Sequence, residues 1–199
     1  MRVTKLTKHP TLYSCNVYLV RGNWNTLEDK NTLIDVGTDG EHIINEIETI
    51  STGVGKKRIE QILITHEHFD HAGGLSILKK KYNPIIYSFT KIPCTDILLN
   101  DGLHLKIGDK DALVIHTPGH SNDSVCFYVK EEKALFSGDT PINIKSAGGT
   151  YTKDFVEVMK RFCKMEIEFI YAGHEDPVEK NAKDMLEFTL KNILKSQII

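Results

Sequence analysis

Four candidate metal ligands, His66, His68, Asp70 and His71, fall within the six residues His66-Glu67-His68-Phe69-Asp70-His71. Three imidazoles and one carboxylate supply nitrogen and oxygen donors, a set suited to zinc, iron or manganese. The chain has nine histidines in 199 residues, and chance rarely places three of them in one hexamer. The stretch therefore reads as a metal site rather than a polar turn.

Such a hexamer needs an element that delivers it to a fixed point. Ile59-Glu60-Gln61-Ile62-Leu63-Ile64-Thr65, directly before it, has the length and apolar character of a buried strand. Ala72-Gly73-Gly74 then breaks the pattern before a helix over Leu75 to Tyr82. Three more donors stand in loops expected at strand ends. They are His120 in Thr117-Pro118-Gly119-His120-Ser121, Asp139 in Phe136-Ser137-Gly138-Asp139-Thr140, and His174 in Tyr171-Ala172-Gly173-His174-Glu175. A glycine precedes each, which permits the tight turn that brings a short side chain to a shared centre.

Around these loops the hydrophobic pattern gives alternating strands and helices. Strands are expected at Cys15 to Val20, Thr32 to Val36, Pro84 to Ser88, Leu103 to Ile107, Ala112 to Ile115, Val125 to Val129, Ala134 to Phe136 and Phe169 to Tyr171. Ile43, Ile44, Ile47 and Ile50 mark one face of an amphipathic helix. Further helices are expected at Asp154 to Met165 and at Pro177 to Leu194, with Pro177 in the first turn. Two sheets packed face to face with helices outside satisfy this order, giving an α/β sandwich of helix, sheet, sheet and helix in one domain over residues 1–199.

Composition limits the partners. Twenty-five basic and 27 acidic side chains give a net charge of −2 without a long run of one sign. Nucleic acid is thus disfavoured on electrostatics, and Lys79-Lys80-Lys81 suits the C-terminal end of a helix. Cys15, Cys94, Cys126 and Cys163 are too scattered for a Cys-x-x-Cys pair and read as small core residues of a reducing compartment. The N-terminus lacks a signal-peptide core, and no stretch approaches the roughly 18 apolar residues of a membrane span. The expectation is a soluble, cytoplasmic protein acting on a small molecule. The apolar C-terminus, Ile193 to Ile199, leaves room for a homodimer.

Taken in order and spacing, the hexamer with the Thr-Pro-Gly-His, Ser-Gly-Asp and Ala-Gly-His elements resembles the metallo-β-lactamase superfamily over essentially the whole chain. The resemblance implies an αββα sandwich and two divalent metal ions, zinc foremost, with iron or manganese as alternatives. His66, His68 and His120 would hold one ion, Asp70, His71 and His174 the other, and Asp139 would bridge them. A hydroxide held between two such ions is a strong nucleophile at neutral pH, because bound cations depress the pKa of water. Asp70 would also orient that water and is the candidate catalytic residue.

Within the superfamily several chemistries are disfavoured by residues of this chain. Flavodiiron proteins carry glutamate where His68 stands, and the cysteine-ligated zinc β-lactamases carry cysteine where Asp139 stands. The nucleases carry an inserted domain or an RNA-grasping arm. What remains is similar to the glyoxalase II group: hydrolysis of an activated acyl bond, a thioester or a lactone. Alternatives are a mononuclear iron persulfide dioxygenase, a phosphodiesterase of the same fold, and a member that only binds metal. The chain departs from glyoxalase II in the stretch Ser121-Asn122-Asp123-Ser124, and 25 residues follow His174 where the resemblance would lead one to expect a glutathione-binding helical domain.

The remaining candidates have plainer readings beside the functional ones. Asp35 either fixes a ligand histidine or closes a strand-end turn. The Gly148-Gly149-Thr150-Tyr151 loop either borders the substrate pocket or packs Tyr151 as an aromatic. His9 and His42 are expected in solvent, and His104 and His116 as packing residues in strands.

Overall fold

A computed structural model describes all residues from Met1 to Ile199. Its first sheet is built from β1 (Arg2–Lys5), β2 (Tyr18–Arg21), β3 (Thr32–Ile34), β4 (Gln61–Leu63), β5 (Ile85–Ser88) and β6 (Ile97–Leu98), ordered as they occur in the chain. Helices α1 (Gly40–Glu48), α2 (Phe69–Ala72) and α3 (Leu75–Tyr82) connect its parallel part. The second sheet takes β7 (His104–Ile107), β8 (Lys110–His116), β9 (Val125–Val129), β10 (Ala134–Gly138) and β12 (Phe169–Ala172), in the order β12-β10-β9-β8-β7. A short pair, β11 (Thr150–Tyr151) with β13 (Gln197–Ile198), brackets helices α4 (Lys153–Lys164) and α5 (Ala182–Ile193).

Three apolar layers separate the four structural ones. Strand side chains alternate between faces, so Leu19, Leu33, Ile62 and Ile86 point outward onto Ile43, Ile47, Leu75 and Leu78 of α1 and α3. Their neighbours Tyr18, Val20, Ile34 and Leu63 point inward and meet Val114, Val125, Phe127, Val129 and Phe136 of the second sheet. Ile115, Cys126, Tyr128 and Leu135 face the other way, onto Phe155, Met159, Phe162 and Leu186 of α4 and α5. β9 lies at the centre of its sheet and has helices on one face and a sheet on the other. All five of its residues are buried, which explains its unbroken apolar run.

Local chemistry sets the helix ends. Asp39 caps α1 by accepting the Glu41 amide at 3.0 Å, and Thr152 caps α4 by accepting the Phe155 amide at 3.2 Å. Asn83 closes α3 in the left-handed conformation, with Lys79, Lys80 and Lys81 in its last turn.

Two expected features differ. The final helix begins at Ala182 rather than Pro177, because Val178 pairs with Ile170 as an antiparallel bridge and Asn181 sits at φ 60°. His9 and His42 are half-buried rather than free in solvent. Their rings meet edge to face at 5.1 Å, and His42 Nε2 lies 2.8 Å from the Thr7 carbonyl.

The fully buried Phe127 fills the layer between the sheets. Phe127→Ala is expected to lower stability by about 3–5 kcal/mol, measured by denaturant unfolding.

Candidate metal centre

β3, β4 and β5 run parallel, so the loops after them leave from one edge of the first sheet. β10 and β12 are also parallel, and their ends carry Asp139 and His174. The seven donors predicted from the sequence come together where these two edges meet. They form two groups: His66, His68 and His120, then Asp70, His71, Asp139 and His174.

In the first group, His66 Nε2 and His120 Nε2 each lie 3.0 Å from His68 Nδ1. Tetrahedral ligation at about 2.0–2.1 Å would place neighbouring nitrogens roughly 3.3 Å apart, close to this spacing. In the second group, His174 Nε2 is 3.1 Å from Asp70 Oδ2 and 3.3 Å from Asp139 Oδ2. His71 Nε2 is 3.3 Å from Asp139 Oδ1 and 3.7 Å from Asp70 Oδ2. Asp139 also reaches the first group, with Oδ2 3.6 Å from His120 Nε2. Its carboxylate thus faces both groups.

Asp35 fixes the orientation of the imidazoles. Its carboxylate accepts the Thr65 amide and hydroxyl, each at 2.8 Å, and lies 2.8 Å from His71 Nδ1. The Thr65 hydroxyl, having donated to Asp35, accepts from His66 Nδ1 at 3.1 Å. These pairings give Nδ1 of each ring a hydrogen-bond partner and turn each Nε2 toward the centre. Asp35 is therefore the fixing residue, beyond its place at a strand end. Cys15 completes a small cluster with Asp35 and His71, but burial pushes its thiol up to about 11, so it stays protonated.

Burial and neighbouring charge set the protonation of the donors. Burial, reinforced by His71, pushes His66 down to about 4, and burial also lowers His120. Burial alone would raise Asp139, yet His71, His174 and His66 hold it down at about 2. His71 Nε2 and Asp139 Oδ1 are buried without a hydrogen-bond partner. Buried polar atoms rarely remain so, and both point into the centre. The lowered His66 and His120, the ionised Asp139 and two buried atoms without a partner fit a pair of divalent cations.

Glycines act here for two different reasons. Gly138 has φ 50°, the turn expected before Asp139. Gly119 and Gly173 have no such φ and are needed because of close approach. A Cβ on Gly119 would press on Phe155, and one on Gly173 would collide with Asp139 Oδ1. Two further residues escaped the sequence reading. Asp123 accepts the Glu67 amide at 2.8 Å and the Ser121 hydroxyl at 2.7 Å, which ties the hexamer to the His120 loop. Tyr13 stacks on His174 at 4.9 Å, with its hydroxyl 3.4 Å from Nε2. A lone tyrosine in a polar loop gave no signal for this.

A cleft of about 260 Å³ opens over His120, Asp139 and His174, with Pro141 and Asn143 on its wall. Tyr151 is not part of that wall; it packs on Phe155 at 5.8 Å, held there by the β11–β13 pairing. His104 is exposed on β7, and His116 stacks on Phe89 at 4.1 Å, so neither approaches the centre. Asp35→Asn, which removes the charge facing His71, is expected to weaken zinc binding about 10–100-fold in competition with a chelating dye.

Known proteins place this geometry in context. The family model for the metallo-β-lactamase superfamily matches residues 10–147. A hydroxyacylglutathione hydrolase of Pelagibacter ubique is 36% identical over 124 residues, 59% of this chain and 52% of that protein. An atrochrysone carboxyl ACP thioesterase of Aspergillus fumigatus is 27% identical over 173 residues, 77% of this chain and 53% of that one. The chain thus spans about half the length of these curated relatives. Among solved structures, the BLEG-1 B3 metallo-β-lactamase aligns at a TM-score of 0.68 and 22% identity, covering 94% of this chain and all of that one. A metallo-β-lactamase family protein from Thermus thermophilus aligns at 0.67 and 20% identity, covering 94% and 76%. With the αββα layers, the ordered motifs and a family match over most of its length, this chain belongs to the metallo-β-lactamase superfamily.

Proposed function

We propose that the chain is a metal-dependent hydrolase of an activated acyl bond, a thioester in the first instance and a lactone by the same chemistry. The observation that carries this is the donor arrangement: two groups of ligands share one carboxylate, Asp139, whose second oxygen is buried without a partner. The names of the relatives support the thioester, since hydroxyacylglutathione and acyl carrier protein conjugates both carry the acyl group on sulfur.

In this reading His66, His68 and His120 would hold one divalent ion, and Asp70, His71 and His174 would hold a second. Asp139, which faces both groups, would serve both sites, and zinc is the foremost candidate. Two ions bound there would supply water ionised at neutral pH and polarisation of the acyl carbonyl. The chain's own residues do the remainder. Asp70 lies in the second group with a carboxylate oxygen near His174 and His71, placed to accept a hydrogen bond from the attacking water and hold its lone pair toward the acyl carbon. Attack forms the new C–O bond and breaks the C–S bond. The water's proton passes through Asp70 to the departing thiolate, which yields a carboxylic acid and a thiol. Asp35 and Thr65 keep the imidazoles from rotating while charge develops.

The same proposal takes residues 1–199 as one catalytic domain acting on a small molecule in the cytoplasm. No helix is long and apolar enough to cross a membrane.

Two measurements test this reading. Elemental analysis of protein purified without added metal is expected to find about two zinc, or mixed zinc and iron, per chain. Hydrolysis of a thioester panel should vanish with chelation and consume no oxygen. One iron per chain with oxygen uptake on glutathione persulfide would replace the hydrolase with a dioxygenase. In the second, Asp70→Asn is expected to reduce kcat about 10²–10⁴-fold in metal-reconstituted protein, and Asp139→Ala to lose metal as well as rate.

A further inference from the structure

The loop that carries the metal-ligand hexamer also lines a second cavity of about 360 Å³, within the size range of small-molecule pockets. One wall is Phe69, the residue between His68 and Asp70, with Leu75 and Ser76 from the start of α3. The other is Ile92-Pro93 in the loop after β5. Because β4 and β5 are parallel, the hexamer and this loop leave the same sheet edge. They are also joined chemically. Asp123 Oδ2 accepts both the Glu67 amide at 2.8 Å and the Thr90 hydroxyl at 3.3 Å, so groove wall and metal-binding loop hold one geometry.

The walls are mostly apolar, and Phe69, flanked in the chain by the donors His68 and Asp70, leaves 70% of its surface open. Glu67 is the only charged side chain lining the groove, and it disfavours a carboxylate-ended occupant.

We propose that this groove binds the acyl part of the substrate, and that its occupant is an uncharged aliphatic chain of medium length. The assignment rests on the thioester reading above and narrows it. Polar hydroxyacyl groups would gain little from these walls. An aliphatic chain leaving the carbonyl toward Phe69 would bury its methylenes against Leu75, Ile92 and Pro93. The 260 Å³ cleft over Asp139 and His174 is left for the thiol portion.

The test varies only the chain. Acetyl, butanoyl, hexanoyl and octanoyl thioesters of N-acetylcysteamine are hydrolysed by metal-loaded protein. In parallel, the ethyl and octyl thioethers of the same thiol, which cannot be cleaved, are titrated calorimetrically. The value of kcat/KM is expected to rise by about three- to fourfold per added methylene, and the octyl thioether to bind at least about tenfold tighter than the ethyl. Ser76→Trp, an exposed helix position that puts an indole into the groove, should flatten both series while metal content stays unchanged. A flat series in active wild-type protein, or equal binding of the two thioethers, overturns the groove. Octyl binding that Ser76→Trp abolishes, in metal-loaded protein that cleaves none of the thioesters, supports the groove and overturns the thioester reading instead.

Discussion

A single buried carboxylate organises the centre. Asp35 sits at the end of β3 in the left-handed conformation, φ 56°, which few non-glycine residues adopt. There it accepts the backbone and hydroxyl of Thr65 and faces the His71 ring, so one side chain aligns the end of β4, His66 and His71. The backbone agrees with the side chains: the Asp35 amide bonds to the Leu63 carbonyl and the Val36 amide to the His71 carbonyl, both at 2.9 Å. A charge buried this deeply is tolerable only when paired and hydrogen-bonded. Its burial requires the donors around it to stay in place.

That constraint propagates outward through the parallel strands. The in-register pairing of β3, β4 and β5 levels three loop exits, and the parallel pairing of β10 and β12, with a register shift between Phe136 and Gly138, brings two more to a common edge. Asn16 then ties the last loop down, donating its amide to the carbonyls of Ala172 and Glu175 at 2.9 and 2.7 Å. Gln61 performs a related task between the sheets, bonding Thr32 Oγ1 and the Lys106 carbonyl where apolar contact alone would permit sliding. The centre is thus assembled from rigid edges, and the loops carry side chains without having to hold them up.

The layers and all seven donors were legible in the sequence because each left a local pattern. Period-2 and continuous apolar runs mark strands, and glycine-bounded donors mark strand ends. α3 and β9 have the limits the pattern gives. What was not legible depends on partners distant in sequence. Residues 177–181 look helical locally, yet Val178 is claimed by Ile170 across the sheet edge. Gly119 and Gly173 look like turn residues, yet the space they leave belongs to Phe155 and Asp139. Tyr13 and His174 are 161 positions apart, and nothing in either neighbourhood announces the stack.

The same long-range pairing has a topological consequence at the end of the chain. α5 is pinned on both sides, by the Val178–Ile170 bridge before it and by β13 on β11 after it. Backbone bonds from the Lys153 amide to the Ile199 carbonyl and from the Ile199 amide to the Tyr151 carbonyl complete the second anchor. A helix held at one end only can open by local unfolding of that single contact. Here two separate pairings must break before α5 can leave, so its release from the body is coupled to the loss of both anchors.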